Sequence, residues 1–159
     1  MPISIHIIYA STSGNVEHVV ETLSAFFKKH APDISLEVQR AETANGDDLH
    51  RGDLIILGSG TWNTGGIEGQ LNMHMHALIH ERAKDVDLQK KPITFISLGD
   101  ERYYFRTRCT EHFLRFQREH NGTLFVSPFI LVNEPYGQEE KIEKWGGKIL
   151  EKLGIQKSE

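Results

Sequence analysis

A short polar segment near the amino terminus has the residue types of a phosphate-binding site. It follows an apolar, β-branched run and precedes a helical pattern, so it lies where a helix begins. Its members are Ser11, Thr12, Ser13, Gly14, Asn15 and Val16. Backbone N–H groups and the positive end of a helix dipole bind phosphate, and hydroxyls add hydrogen bonds. Because Ser, Thr and Asn are also preferred helix caps, the segment predicts either a phosphate site without a cation or a well-capped helix.

Two further segments combine glycine with aromatic side chains. The first is a Gly-rich stretch, interpreted as a loop, whose candidate binding residues are Ser59, Gly60, Thr61, Trp62, Asn63, Thr64 and Gly65. The second contributes Leu98, Gly99, Asp100, Tyr103 and Tyr104. Trp62 could fold back onto the sheet edge, or it could stack on a flat ligand. Two aromatic segments beside one phosphate-binding segment predict a slot for a planar ring with a phosphate tail, which is the shape of FMN.

The order of apolar patterns indicates five strands that alternate with helices. Near-continuous apolar runs, Leu54 to Leu57 and Ile93 to Leu98, are typical of central strands, whereas the alternation at Leu36 and Val38 is typical of an edge. The first strand is predicted at Ile3 to Tyr9 and the fifth in the region Thr123 to Val132. Four predicted helices each show apolar residues at helical spacing along one face. Their residues at this spacing are Val16, Val19, Val20, Leu23 and Phe27; Leu71, Met75, Leu78, Ile79 and Arg82; Cys109, Phe113 and Phe116; and Ile142, Trp145, Ile149 and Leu153. The pattern predicts a doubly wound α/β protein whose ligands bind beyond the carboxyl ends of a parallel sheet.

Length and composition restrict the class of protein. The 159 residues suffice for one domain, expected at residues 1–155, followed by a short tail at residues 156–159. With 18 Lys and Arg against 22 Asp and Glu, the formal charge is −4, which disfavours general nucleic-acid binding. The single cysteine, the absence of a signal-peptide pattern and the absence of a long apolar run favour a cytoplasmic protein outside the membrane.

Two histidines have a spacing that is compatible with metal binding. His76 and His80 are four residues apart in one predicted helix, a spacing that can place two ligands on a metal ion. Their helical angles place both opposite the apolar face, and the sequence shows no third ligand nearby, so we expect solvated side chains and no metal site. Cys109 lies in line with Phe113 and Phe116 and is expected to be a small buried hydrophobe.

Taken together, the three polar and aromatic segments resemble those of the flavodoxin family. Ser11-Thr12-Ser13-Gly14-Asn15 resembles its phosphate loop. Thr61-Trp62-Asn63-x-Gly65 resembles the loop whose Trp covers one face of the isoalloxazine, and Gly99-Asp100-x-x-Tyr103 the loop whose Tyr covers the other. The resemblance spans the whole chain and, without a long insertion in the fifth-strand region, is to the short-chain form. It implies a flavodoxin-like, three-layer fold with five parallel strands in the order 2-1-3-4-5.

The resemblance also implies a function. A flavodoxin-like chain binds one FMN noncovalently and is a low-potential one-electron carrier, in which no residue acts as acid, base or nucleophile. Its partners would be an NAD(P)H-dependent flavodoxin reductase or similar donor and a redox enzyme as acceptor, each bound transiently by a monomer. The alternative is an enzyme using the same slot: an FMN-dependent quinone or nitro reductase, or a flavoprotein activator of another enzyme. A flavin-free interaction module on the same fold is a third hypothesis.

Three features depart from the family pattern. Val16 stands where many members carry Thr, which removes one hydroxyl from the phosphate site while the backbone N–H stays. The second aromatic segment is compact, so either Tyr103 or Tyr104 could stack on the ring, and Tyr103 is favoured. Arg102, Arg106 and Arg108 surround that segment, although flavodoxins are typically strongly acidic.

Overall fold

The structure is a computed structural model that describes residues 2–11, 13–64, 67–99 and 108–157, with the backbone alone described for residues 61–64, 67–70 and 108. Its strands are Ser4–Tyr9 (β1), Ser35–Arg40 (β2), Leu54–Thr64 (β3), Ile67–Leu71 (β4), Pro92–Gly99 (β5), Thr123–Leu124 (β6) and Phe129–Val132 (β7). Its α-helices are Asn15–His30 (α1), Met73–Ala77 (α2), Arg108–Glu119 (α3) and Glu139–Lys152 (α4). Two 3₁₀ turns at Ala41–Thr43 and Gly46–His50 precede β3, and a π-helical segment at Leu78–Arg82 continues α2.

The main sheet is parallel, and its order confirms the predicted fold class. β1 lies between β2 and β3, β5 pairs with β3, and both β6 and β7 pair with β5. β5 is therefore the fourth strand in the predicted numbering, and β6 with β7 fills the fifth position. The order 2-1-3-4-5 reverses direction between β1 and β3, which is where doubly wound folds bind ligands at the carboxyl edge.

Helices cover both faces of the sheet. The first face carries α1 and α4, and its core includes Val19, Leu23 and Phe27 from α1. The second face carries α2, the π-helical segment and α3, and there Phe113 stacks on Phe95 with ring centroids 4.7 Å apart. Among the described residues, no helix is long and apolar enough to cross a bilayer.

The Gly-rich stretch after the third strand is a strand and not a loop over residues 58–64. β3 continues to Thr64 and pairs antiparallel with β4, so that Thr61 lies opposite Leu71 and Trp62 opposite Gln70. The pairing shifts register between Trp62 and Thr64, which is the signature of a β-bulge or irregularity. Glycine and polar residues predicted a loop, but backbone pairing to a second segment outweighs that local preference.

Two other predicted elements also differ from the structure. Leu71 ends β4, so the helix that was predicted to include it begins at Met73 and becomes π-helical at Leu78. The fifth strand is split into β6 and β7 because Ser127 and Pro128 interrupt it, and proline has no N–H for the ladder. The indole Nε1 of Trp145 donates to Ser127 O over 3.0 Å, so α4 holds this interruption in place. Trp145 shares its helical spacing with Ile142 and Ile149, which predicts a core side chain, and it is buried against Phe129.

Candidate functional site

The N-terminus of α1 opens onto the carboxyl edge of the sheet. Gly14 is its N-cap with φ 90°, a left-handed conformation that favours glycine, and its N–H donates to Ser11 Oγ over 3.1 Å. The first helical bond runs from His18 N to Gly14 O over 2.9 Å, which leaves the preceding N–H groups of the helix available to a ligand. A Cβ on Gly14 would meet nothing within 4 Å, so the space next to this N-cap is open among the described residues.

The ends of β3 and β5 lie next to this helix start. A Cβ on Gly58 would lie 3.4 Å from Val16 Cγ1, and one on Gly60 would lie 3.9 Å from both Val16 Cγ2 and Leu98 O. Gly60 and Leu98 are also direct register partners. The structure thus brings parts of the three sequence-predicted segments to one edge, around the buried side chain of Val16.

Some predicted site residues lie outside the described part of the chain. Thr12, Gly65, Asp100, Tyr103 and Tyr104 fall outside the described residues, as do Arg102 and Arg106. Thr61, Trp62, Asn63 and Thr64 lie in β3 with their backbone described. Trp62 is therefore carried by an antiparallel hairpin, a more regular support than the predicted loop.

Ser59 has a structural role that the sequence did not reveal. Its fully buried hydroxyl donates to Gly60 O over 3.0 Å and accepts from Asn72 N over 3.1 Å, tying the base of the hairpin to the start of α2. The buried thiol of Cys109 lies 3.5 Å from Ser59 O and donates to it. Cys109 is buried as predicted, but its sulfur also contacts the backbone of a predicted site residue.

A polar cluster beside the phosphate segment was missed by sequence reasoning. His18, in the first turn of α1, stacks on Tyr136 with ring centroids 4.3 Å apart, and its Nε2 lies 2.7 Å from Glu139 Oε2. The hydrogen bond with His18 lowers the pKa of Glu139. Asn133 N donates to Gly99 O over 2.7 Å, so residues 133–139 join the end of β5 to the start of α1. No local spacing could signal a contact between residues 121 positions apart.

The two histidines of the predicted helix have a third imidazole nearby. His76 and His80 have ring centroids 4.5 Å apart, and His112 of α3 lies 5.7 Å from His80. Burial lowers the pKa of His80, and the neighbouring His76 and His112 lower it further. Within the described part of the chain, no group of three or more His, Cys, Asp or Glu is arranged to hold a metal ion.

A parallel sheet of this order, with an open helix N-terminus at its carboxyl edge, defines a flavodoxin-like protein of the doubly wound α/β class. The flavodoxin family model matches residues 7–145. The chain therefore belongs to the flavodoxin family, whose members are FMN-binding electron carriers and not classical enzymes.

Individual relatives agree with this assignment. A flavodoxin of Maridesulfovibrio salexigens is 24% identical over 149 residues, which cover 92% of this chain and 97% of that protein. The crystal structure of oxidised flavodoxin 2 from Bacillus cereus is 26% identical, with a TM-score of 0.83 over 94% of this chain and 99% of that one. Oxidised flavodoxin 1 from the same organism shares the fold at 19% identity, with a TM-score of 0.81 over 93% of this chain and 97% of that one.

Proposed function

We propose that this chain binds one FMN noncovalently at the carboxyl edge of the sheet and carries single electrons at low potential between redox proteins. The observation that carries the proposal is the open N-terminus of α1, which lies beside the ends of β3 and β5. A phosphate bound at this helix end would place the rest of the ligand next to the two aromatic segments.

The residues present fit a flavin phosphate. Gly14 keeps the helix end free of a side chain, Ser11 fixes the backbone of the turn, and the exposed Ser13 offers a hydroxyl. Val16 contributes its backbone N–H and uses its side chain to pack against Gly58. The proposed cofactor-binding residues are Ser11, Thr12, Ser13, Gly14, Asn15, Val16, Ser59, Gly60, Thr61, Trp62, Asn63, Thr64, Gly65, Leu98, Gly99, Asp100, Tyr103 and Tyr104.

The protein's part in such a function is to bind and orient the cofactor. FMN supplies the electron-transfer chemistry when bound, and no side chain need act as acid, base or nucleophile. In this proposal Trp62 and Tyr103 cover the two faces of the ring, whereas the buried Ser59 stiffens the hairpin that carries Trp62. A reductase dependent on NAD(P)H would donate electrons and a redox enzyme would accept them, each in a transient complex with the cytoplasmic monomer.

The test is the visible spectrum of the purified protein after loading with FMN, together with the mass of the flavin released by heat. Bound FMN without NAD(P)H oxidation by the protein alone, and with electron transfer once a flavodoxin reductase is added, supports the carrier. Turnover of NAD(P)H with a quinone or nitro compound would instead show a reductase. Tight binding of FAD, or of no flavin, would overturn the proposal.

Substitution of Trp62 tests the ring site directly. Trp62→Ala is expected to weaken FMN binding by about 1–3 kcal/mol, because it removes a stacked aromatic and its buried area. Fluorescence titration with FMN measures the change, and Trp145→Phe, in the buried core of the first face, is the aromatic control. An unchanged affinity would show that Trp62 does not cover the ring.

A further inference from the structure

Three imidazoles form a surface group on the second face of the sheet. His76 lies in α2, His80 in the π-helical segment and His112 in α3, with His80 between the other two. His76 and His80 are exposed and His112 is half-buried. The continuous segment of α2 and the π-helical turns ends 26 positions before α3 begins, yet the two present their histidines together. We name His76, His80 and His112 the imidazole patch.

The imidazole patch lies toward the edge of the sheet that carries the proposed flavin site. Helices between parallel strands run antiparallel to those strands, so their N-termini lie at the carboxyl edge. α2 begins at Met73 and α3 at Arg108, which places His76 and His112 within about 6 Å of their helix starts along the axis, at 1.5 Å per residue. α2 also follows the β3–β4 hairpin directly.

The charge of this patch becomes more positive as the pH falls, and burial together with the neighbouring imidazoles lowers the pKa of His80. Imidazoles gain a positive charge as the pH falls through the range below 7. The charged groups of α3 that act on His80 include Arg115 and Glu119, which form an ion pair of 2.7 Å with each other. Two carboxylates, Glu81 and Glu111, are adjacent in the chain to His80 and His112. Each proton that the imidazoles take up makes the local net charge more positive by one unit.

We propose that the imidazole patch is a docking surface for an acidic region of a redox-partner protein, and that docking strengthens as the pH falls. The inference rests on the proposed electron-carrier function and names the partner chemistry that this surface fits. Carboxylates of the partner would face the imidazolium groups, and their approach would favour proton uptake by the patch.

The experiment measures electron transfer from the reduced, FMN-loaded protein to an acidic and to a basic c-type cytochrome of similar size. Stopped-flow rate constants are taken from about pH 7.5 to about pH 5.5, with a chelator present and at low ionic strength, where surface charges act over the longest range. The test variant is His76→Gln/His80→Gln. The matched control is His30→Gln/His50→Gln, which removes two imidazoles near the opposite edge of the sheet.

For the wild type and the control, the rate with the acidic cytochrome relative to the basic one is expected to rise about fivefold on acidification, within the range of electrostatic steering. In His76→Gln/His80→Gln, the same ratio of rates should rise by less than about twofold on acidification. A second variant, His76→Lys/His80→Lys, should give the raised ratio already at the higher pH, because lysine stays charged there.

Each other outcome contradicts the proposal in a distinguishable way. If FMN binds and both cytochromes are reduced, but the two Gln variants behave alike, the docking surface is wrong and the carrier function stands. The same conclusion follows if the Lys variant leaves the ratio unchanged. If no flavin binds, or if neither cytochrome is reduced, the carrier function fails and the docking surface fails with it.

Discussion

The two faces of the sheet are built by different means. On the first face, α1 and α4 are regular helices of 16 and 14 residues that pack against each other through apolar side chains. On the second face, α2 has five residues, a π-helical segment continues it, and the described part of the core includes the buried polar side chains of Ser59, Asn72 and Ser97. The first face is a scaffold built by close packing, whereas the second combines packing with polar contacts near the proposed site.

The largest difference in stability between two variants is expected in α4, where one of two adjacent glycines packs closely against α1 and the other does not. A Cβ at Gly146 would lie 2.8 Å from Phe26 Cδ2 and 2.9 Å from Leu23 Cδ1, whereas one at Gly147 would lie 3.9 Å from Phe26. Gly146→Ala is expected to destabilise by about 1–3 kcal/mol through overpacking. Gly147→Ala should stabilise by about 0.5–1 kcal/mol because alanine favours the helix.

Chemical denaturation of both glycine variants measures these free energies of unfolding. The opposite signs matter more than the sizes, since the two variants share the same change of residue in the same helix. If Gly146→Ala were neutral or stabilising, the first face would have room to adjust and would not be a closely packed scaffold.

A second pair of substitutions tests the polar contacts of the second face. Ser59 and Ser97 are register partners on adjacent strands, and both are buried. Ser59→Ala leaves the buried Asn72 N–H without its acceptor and should destabilise by about 1–3 kcal/mol. Ser97 Oγ has no hydrogen-bond partner among the described residues, so Ser97→Ala should be neutral or slightly stabilising. Equal losses in the two variants would show that Ser97 also makes a hydrogen bond.

The same difference between faces explains what the sequence could predict. On the first face, local patterns were sufficient: the spacing of Val19, Leu23 and Phe27 predicts the buried side of α1, and the structure confirms it. On the second face, the β3–β4 hairpin depends on pairing between residues 61–64 and 67–71, which outweighs the turn preference of Gly58 and Gly60. His112 joins His80 only through tertiary structure, so no helical spacing within one segment could indicate the imidazole patch.

Titration of His6 is expected to weaken the second face in acid. The side chain is buried in β1 with Nε2 2.9 Å from Gln39 Oε1, and burial lowers the pKa of His6 below 6.5. The unfolded chain therefore takes up this proton first as the pH falls. The contribution of neutral His6 to the free energy of unfolding is fully present above about pH 6.5. Below that pH it decreases by at most about 1.4 kcal/mol per pH unit for one proton.

Denaturation midpoints measured from about pH 8 to about pH 5 would show this loss, and His6→Gln should reduce it. His50→Gln, an exposed substitution on the turn before β3, is the control and should retain the wild-type profile. A profile for His6→Gln that matches the wild type would assign the acid sensitivity to other groups.

A smaller loss of stability, with an effect on ligand binding, is expected where the first face meets the proposed flavin site. Gly14 and Gly154 have φ of 90° and 77°, and a Cβ at either position would meet nothing within 4 Å. Replacing either glycine by alanine should cost about 1 kcal/mol of stability, because a side chain disfavours left-handed backbone. The two variants should differ in ligand binding, since the new Cβ of Gly14→Ala enters the open space at the start of α1. We expect Gly14→Ala to weaken FMN binding roughly fivefold, or about 1 kcal/mol, and to leave riboflavin, which lacks the phosphate, unaffected. Gly154→Ala should alter neither affinity, so an equal loss of FMN binding in both variants would place the phosphate away from the start of α1.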